Sequence, residues 1–339
     1  MGIHLFVLHH GLWGDHSHMN FIISRIEEGA KTSGESVEFI NCAVNEGTNS
    51  YAGIEGCGSR LVELIFERLK DADKPAISHL SFVGYSFGGL VIRYAAGVLF
   101  ARNILVSEST SPQTSSDAPT VIAANFVTFA SPHLGAPRTS PESATLNPIF
   151  NSLASFMTST TGSQMMLTDA SYRGRKAVNV LADPSLPFYQ SLLLFKNRVI
   201  YANLQNDPLV SHRTASILET EPSPLTKPLI NYLSPVSESY PSIVELDPST
   251  LPSVDTLPKS EEEVRTLREK VVTTLFSLCS FQLHWWLSQV VDCIGTVFAV
   301  HVRSSFRRAH ATIVRRADEF KGNEDVVQHF IDLYCFKST

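Results

Sequence analysis

Five short apolar runs mark the chain: residues 3–10 (IHLFVLHH), 36–44, 79–85, 125–130 and 198–204. Runs of this length, apolar without strict alternation, are what strands covered on both faces of a sheet require. Between them the spacing turns helical. From about residue 59 to 70, Leu61, Leu64, Ile65 and Leu69 share one face, while Glu63, Glu67, Arg68 and Lys70 lie off it. A second helical pattern follows Ser86 through Leu90, Val91, Tyr94, Ala95 and Val98. Strand and helix in alternation predict a parallel, doubly wound α/β sheet, and no internal repeat interrupts it.

Three stretches fall outside the alternation. Residues 107–119 (SESTSPQTSSDAP) form a polar loop rich in serine and proline. Residues 138–195 are a long insertion in which Ile149, Phe150, Leu153, Phe156 and Met157 recur at helical spacing, with Met165 and Met166 close behind. It reads either as helix packed on the core or as a cap or lid whose adaptable apolar face meets an acyl chain. Residues 234–300 make a further excursion. It is rich in proline, serine and acids up to about 260, then increasingly apolar and helical from Glu261.

At 339 residues, with 43% hydrophobic and 18% charged side chains, the whole chain fits one large α/β domain with insertions. A net charge of −6 excludes the basic surface that tracks phosphates, so no nucleic-acid partner is expected. Cys42, Cys57, Cys279, Cys293 and Cys335 are scattered and odd in number, which reads as free thiols in a reducing compartment. The start has no basic leader before its apolar run. It is expected to be a strand of the fold and not a signal peptide, placing the protein inside the cell, in the cytoplasm.

The chemistry concentrates at Gly84-Tyr85-Ser86-Phe87-Gly88, directly after an apolar run and directly before a helical pattern. A serine presented on a sharp strand-to-helix turn brings the residues two before and two after it so close that only glycine, or something as small, fits. That turn also sets Ser86 at a helix N-terminus, which favours developing negative charge. The five-residue motif alone is a weak signal, and its strand-before, helix-after context strengthens it. A tetrahedral oxyanion needs two preorganised N–H donors. One comes from the residue after the nucleophile, Phe87; the loop His10-Gly11-Leu12-Trp13-Gly14 after the first run offers Leu12 as the second. His10 and Gly11 are expected to shape that loop. His9, His10, His16 and His18 follow no zinc-ligand spacing, so no metal and no cofactor are expected.

A serine hydroxyl needs a histidine to take its proton and a carboxylate to hold that histidine's tautomer. In this fold the chain order is serine, acid, histidine. Asp207 follows the run RVIYANL, where an acid at the C-terminal edge of the sheet belongs; Asp169 and Asp183 are alternatives. His284, His301, His310 and His329 all satisfy the order for the base, and His133 in SPHLG reads as a loop-shaping residue.

HGLWG at 10–14, GYSFGGLVIRY at 84–94, ASPHLG at 130–135, TGSQMMLTD at 161–169, YANLQND at 201–207 and HATIVRR at 310–316 together resemble the Rog-type putative serine esterases, a branch of the lipase-like α/β hydrolases. The matches span most of the chain in the family's order. The resemblance implies an α/β-hydrolase fold, lipid ester hydrolysis, Asp207 as acid and His310 as base, and it extends to lipid-droplet phospholipases. The family often carries His-x-His at the base; here Arg308 stands at the first of those positions.

Residues 271–291 carry no charge and are long enough to cross a bilayer, yet Thr273, Thr274, Gln282, His284, Ser288 and Gln289 make a poor lipid-facing helix. A single crossing would also separate His310 from Ser86. The segment is therefore expected not to span, with Trp285 and Trp286 lying at a membrane or lipid-droplet surface, lining an acyl site or packing on the core. The sequence thus points to a serine hydrolase acting on phospholipid or acylglycerol esters. An acyltransferase with the same triad and a catalytically silent lipid-binding protein are the alternatives.

Overall fold

The computed structural model describes residues 2–109, 119–137, 158–218, 235–244, 296–300, 308–320 and 322–336. Among them nine strands form one sheet: β1 (Ile3–His9), β2 (Val37–Asn41), β3 (Ile77–Tyr85), β4 (Leu105–Val106), β5 (Val121–Phe129), β6 (Asn197–Asn203), β7 (Pro235–Ser237), β8 (Tyr240–Val244) and β9 (Thr296–Val300). The order is β2-β1-β3-β5-β6-β9-β8-β7, with β4 beside the start of β5. Every pairing from β2 through β9 is parallel, and β8 and β7 close the edge antiparallel. This is the doubly wound α/β-hydrolase architecture, and each of the five apolar runs becomes one of its strands.

The helices are α1 (Asn20–Ser33), α2 (Gly53–Lys70), α3 (Gly88–Ala101), α4 (Ser159–Met165), α5 (Ala177–Leu181), α6 (Pro187–Gln190), α7 (His212–Ser216), α8 (Ala309–Thr312) and α9 (Glu324–Phe330). Alternate residues of β1 and β3 divide between two apolar layers, as the period of two in a strand demands. Leu5 and Val7 of β1, with Leu80 and Phe82 of β3, pack under Ile54, Leu61 and Ile65 of α2 and Leu90, Val91 and Ala95 of α3. Phe6, Leu8, Val83 and Tyr85 face the other way, onto Ile22 and Ile26 of α1 and Val326, Val327 and Phe330 of α9. A strand used on both faces cannot alternate apolar with polar, which is why the runs are continuous. α1 stops at Gly34, whose φ of 74° lets its N–H turn back to the Ala30 carbonyl.

Within the insertion, Met165, Val178, Leu181, Tyr189 and Leu192 join the layer of α2 and α3, so the described part, 158–195, packs on the core. The helical spacing at 149–157 and the apolar segment 271–291 lie outside the described residues, as does most of the serine-rich loop. The excursion from 234 differs from expectation at both described ends. Residues 235–244 are a hairpin edge, and 296–300 is a strand paired with β6. Pro235 sits on the edge strand, the place in a sheet where a missing N–H is tolerated, and Pro241 lies in β8 ahead of its pairing with β9, which begins at Ile243. Cys42, Cys57 and Cys335 are buried free thiols.

One polar line crosses the sheet. Ser81 Oγ lies 2.7 Å from His4 Nε2 and accepts from the Asn125 amide N at 3.2 Å and its side-chain N at 2.9 Å; Asn197 then donates to Asn125 Oδ1 at 2.8 Å. Burial pushes the His4 imidazole down to about 3, with neighbouring His79 adding to the shift. The ring is therefore neutral at pH 7 and accepts the Ser81 hydroxyl. Ser81→Ala is expected to strand His4 and the Asn125 amide. The loss is roughly 2–3 kcal/mol, read as a lower urea midpoint at unchanged slope.

Candidate active site

β3 ends one residue before Ser86, and α3 begins two residues after it. Ser86 takes φ 54°, a conformation that costs a non-glycine residue on the order of 1–3 kcal/mol and here lifts its hydroxyl above the sheet edge. The backbone is fixed from the side, where Ser86 N–H donates to the Phe129 carbonyl at the end of β5, 2.9 Å away. The flanking glycines have no alternative. A Cβ on Gly88 would lie 2.2 Å from the His9 carbonyl oxygen, and one on Gly84 2.6 Å from Gly89 Cα.

Three of the residues expected from the sequence meet here. His310, on the single-turn helix α8 beyond β9, places Nε2 2.9 Å from Ser86 Oγ. Its Nδ1 lies 2.8 Å from Asp207 Oδ2, on the loop after β6. The side chains of His310 and Asp207 are only 8% and 2% exposed, so water does not compete for these bonds. The second Asp207 oxygen accepts from the backbone N–H groups of Leu209 and Val210 at 3.0 and 2.9 Å. Burial by itself would raise the Asp207 carboxyl. The adjacent His310, the Val210 amide and the Asn203 side chain outweigh it and hold the carboxyl below its usual value. An ionised carboxylate facing Nδ1 requires the N–H there, which leaves Nε2 as acceptor toward the serine.

The other candidates are engaged elsewhere. Asp169 accepts from Ser171 and the Ala177 amide, and Asp183 pairs with Arg175 at 2.7 Å. His329 contacts Tyr201 in an aromatic cluster, and His133 bonds Thr128. His284 and His301 lie outside the described residues. Arg308 is exposed and caps α8 through its carbonyl, which accepts from Ala311 and Thr312.

The β1 loop closes over the serine. A Cβ on Gly11 would come within 2.9 Å of Ser86 Cβ, so the backbone leading into Leu12 passes directly against the nucleophile position. Phe87 forms the N-cap of α3. The four histidines near this loop have separate partners. His9 Nδ1 donates to the His10 carbonyl while its Nε2 accepts from Asn45; His10 Nδ1 donates to the Gly11 carbonyl; His16 bonds Glu46, and His18 faces Asp15 at 3.4 Å.

Sequence reasoning missed the supports. Asn203, at the end of β6, donates to Asp207 Oδ2 at 2.8 Å, and the Tyr85 ring lies 5.0 Å from the His310 ring at 38°. Tyr85 was open to inference, because the residue before an elbow serine must lie beside whatever approaches the hydroxyl. Asn203 carries no comparable signal.

The arrangement is a serine hydroxyl at the C-terminal edge of the sheet, hydrogen-bonded to an imidazole that is itself hydrogen-bonded to a carboxylate. Comparisons with known proteins agree in kind. Residues 1–218 match the family model described as "Putative serine esterase (DUF676)". The Schizosaccharomyces pombe protein named putative lipase C4A8.10 is 30% identical over 223 residues, 63% of this chain and 26% of its own. The Saccharomyces cerevisiae protein named putative lipase ROG1 is 30% identical over 221 residues, 63% of this chain and 28% of its own. This chain thus spans about a quarter to a third of the length of the curated relatives it matches. Among solved structures, RedJ thioesterase from Streptomyces coelicolor aligns at 14% identity and TM-score 0.31, covering 63% of this chain and 74% of that one. Phospholipase PlaB from Legionella pneumophila aligns at 12% identity and TM-score 0.35, covering 64% and 43%. Scores this low add nothing to a fold that the sheet itself defines.

Proposed function

We propose that this chain, which belongs to the DUF676 family of putative serine esterases, hydrolyses carboxylic esters of lipids through an acyl-enzyme on Ser86. One observation carries the reading: the unbroken hydrogen-bond line from Ser86 through His310 to Asp207. His310 Nε2 accepts the hydroxyl proton as Oγ attacks the ester carbonyl, and Asp207 steadies the imidazolium that forms. The N–H groups of Leu12 and Phe87 hold the oxyanion. His310 then passes its proton to the departing alcohol, and the ester C–O bond breaks. A water molecule, deprotonated by the same nitrogen, attacks the acyl-enzyme and releases the acid with Ser86 restored.

Lipid as substrate class rests on the relatives' names and on the rim of the site. Trp13 and Leu209 are 58% and 64% exposed, in the loops after β1 and β6, strands that lie on either side of β3, which leads into Ser86. Apolar side chains presented there fit peripheral contact with a membrane or lipid-droplet surface from the cytoplasm. Among the described residues no helix is long and apolar enough to cross a membrane.

The test has two stages. A fluorophosphonate probe is expected to label the wild-type chain and not Ser86→Ala; an unlabelled wild type would identify a silent lipid-binding scaffold instead. Incubation with mixed phospholipids and acylglycerols, with and without an added alcohol, then separates the chemistries. Free fatty acid marks the hydrolase, and a new ester marks an acyltransferase.

A further inference from the structure

Trp13 adopts φ 58°, in the left-handed region that a bulky side chain avoids, in the loop that brings Leu12 to the serine. Such a backbone persists only when its surroundings over-determine it. The surroundings are one segment, the short 3₁₀ helix Gly47–Ala52 after β2. Ser50 Oγ accepts from the Trp13 backbone N–H at 3.2 Å, Tyr51 OH accepts from the Trp13 indole N–H at 2.5 Å, and Gly47 N–H donates to the Gly14 carbonyl at 3.0 Å. Just before this segment, the Glu46 carboxylate accepts from His16 N–H at 3.0 Å.

This clasp is itself held from outside. Thr161 Oγ1, on α4, donates to the Ser50 carbonyl at 2.5 Å and accepts from Gly53 N–H at 2.9 Å; Gln164 Oε1, from the same helix, accepts from Ile54 N–H at 2.7 Å. The first turn of α2 has no side-chain cap of its own, so α4 supplies it. Thr161, Gln164 and Ser50 are all essentially fully buried. A continuous path therefore runs from α4, through Thr161 and Ser50, to the amide that follows Leu12.

We infer that Ser50 and Thr161 are positioning residues that set the second oxyanion donor, so that the seating of α4 on α2 tunes turnover at Ser86. This rests on the proposed acyl-enzyme reading, in which Leu12 N–H faces the oxyanion. The oxyanion forms only during reaction. A misplaced donor should therefore weaken transition-state stabilisation while ground-state binding and base titration stay as they are.

The experiment is steady-state kinetics of the full chain on a soluble p-nitrophenyl ester. Ser50→Ala is expected to lower kcat about tenfold, with KM within twofold and the pH profile unshifted. Thr161→Val, which keeps the Ser50 hydroxyl, is expected to lower kcat about threefold in the same pattern, and it carries the test should Ser50→Ala fail to fold. Wild-type kcat in a folded variant, or a fall in which KM rises in step, overturns the inference. A wild-type chain that neither turns over the ester nor reacts with fluorophosphonate removes the acyl-enzyme reading and this inference together. A reactive wild type with indifferent variants removes the inference alone.

Discussion

Ser86→Ala is expected to lower kcat for ester hydrolysis by roughly 10⁴- to 10⁶-fold with the fold intact. The size follows from the geometry. His310 is aimed at that one oxygen, 2.9 Å away, and every proton in the proposed cycle passes through it. Removing the oxygen leaves a base with nothing to activate. Asp207→Asn should fall in the same range, about 10⁴-fold, for a different reason. An amide that turns its NH₂ toward Nδ1 favours the opposite tautomer and puts a hydrogen on the nitrogen that must accept. Initial rates on a soluble ester, with circular dichroism as a folding control, decide the matter. A Ser86→Ala chain turning over at the parental rate ends the mechanism.

The second large effect is on stability in mild acid. Burial pushes the imidazoles of His4, His9 and His133 down to about 3 in the folded chain, whereas the unfolded value is near 6.5. Below pH 6.5 the unfolded chain takes up protons that the folded chain refuses until about pH 3. Stability is therefore fully present above pH 6.5 and is lost as the pH falls through that window. Each group contributes about 1.4 kcal/mol per pH unit, so the three together remove about 4 kcal/mol by pH 5.5. That is a large part of the 5–15 kcal/mol typical of a domain. The lowered carboxyl of Asp207 works in the same direction at still lower pH, since it must be protonated to unfold the site in acid. Guanidinium unfolding at pH 7.5, 6.5 and 5.5 should show midpoints falling steeply over the last interval; equal midpoints would mean these rings are not sealed from water.

The central sheet was legible because its inner strands are buried on both faces, leaving continuous apolar runs too short for a typical buried helix. The elbow was legible because steric closeness at Gly84 and Gly88 is written as residue type. Asp207 could be placed because it follows a recognisable strand. The late part of the sheet was not readable in the same way. In 235–244 the prolines and exposed polar residues of an edge hairpin look like linker, and Thr296–Val300 is only five residues long, following closely on a long apolar stretch that reads as helical. Helix α1 buries only Ile22, Ile26 and Ala30, one residue per turn, which is a sparse signal. The base is the extreme case. α8 has four residues, and what selects His310 is a contact 224 positions distant, which no local pattern encodes. Only the family resemblance singled it out.

That long separation has a consequence for how the protein is made. On a ribosome the elbow around Ser86 can fold while most of the chain is still being synthesised, and the loop of Asp207 can follow. His310 is translated later still, beyond the region that the family model matches. On the proposed mechanism, a nascent chain that stops short of residue 310 holds a serine with no proton acceptor, and it stays inert until α8 docks.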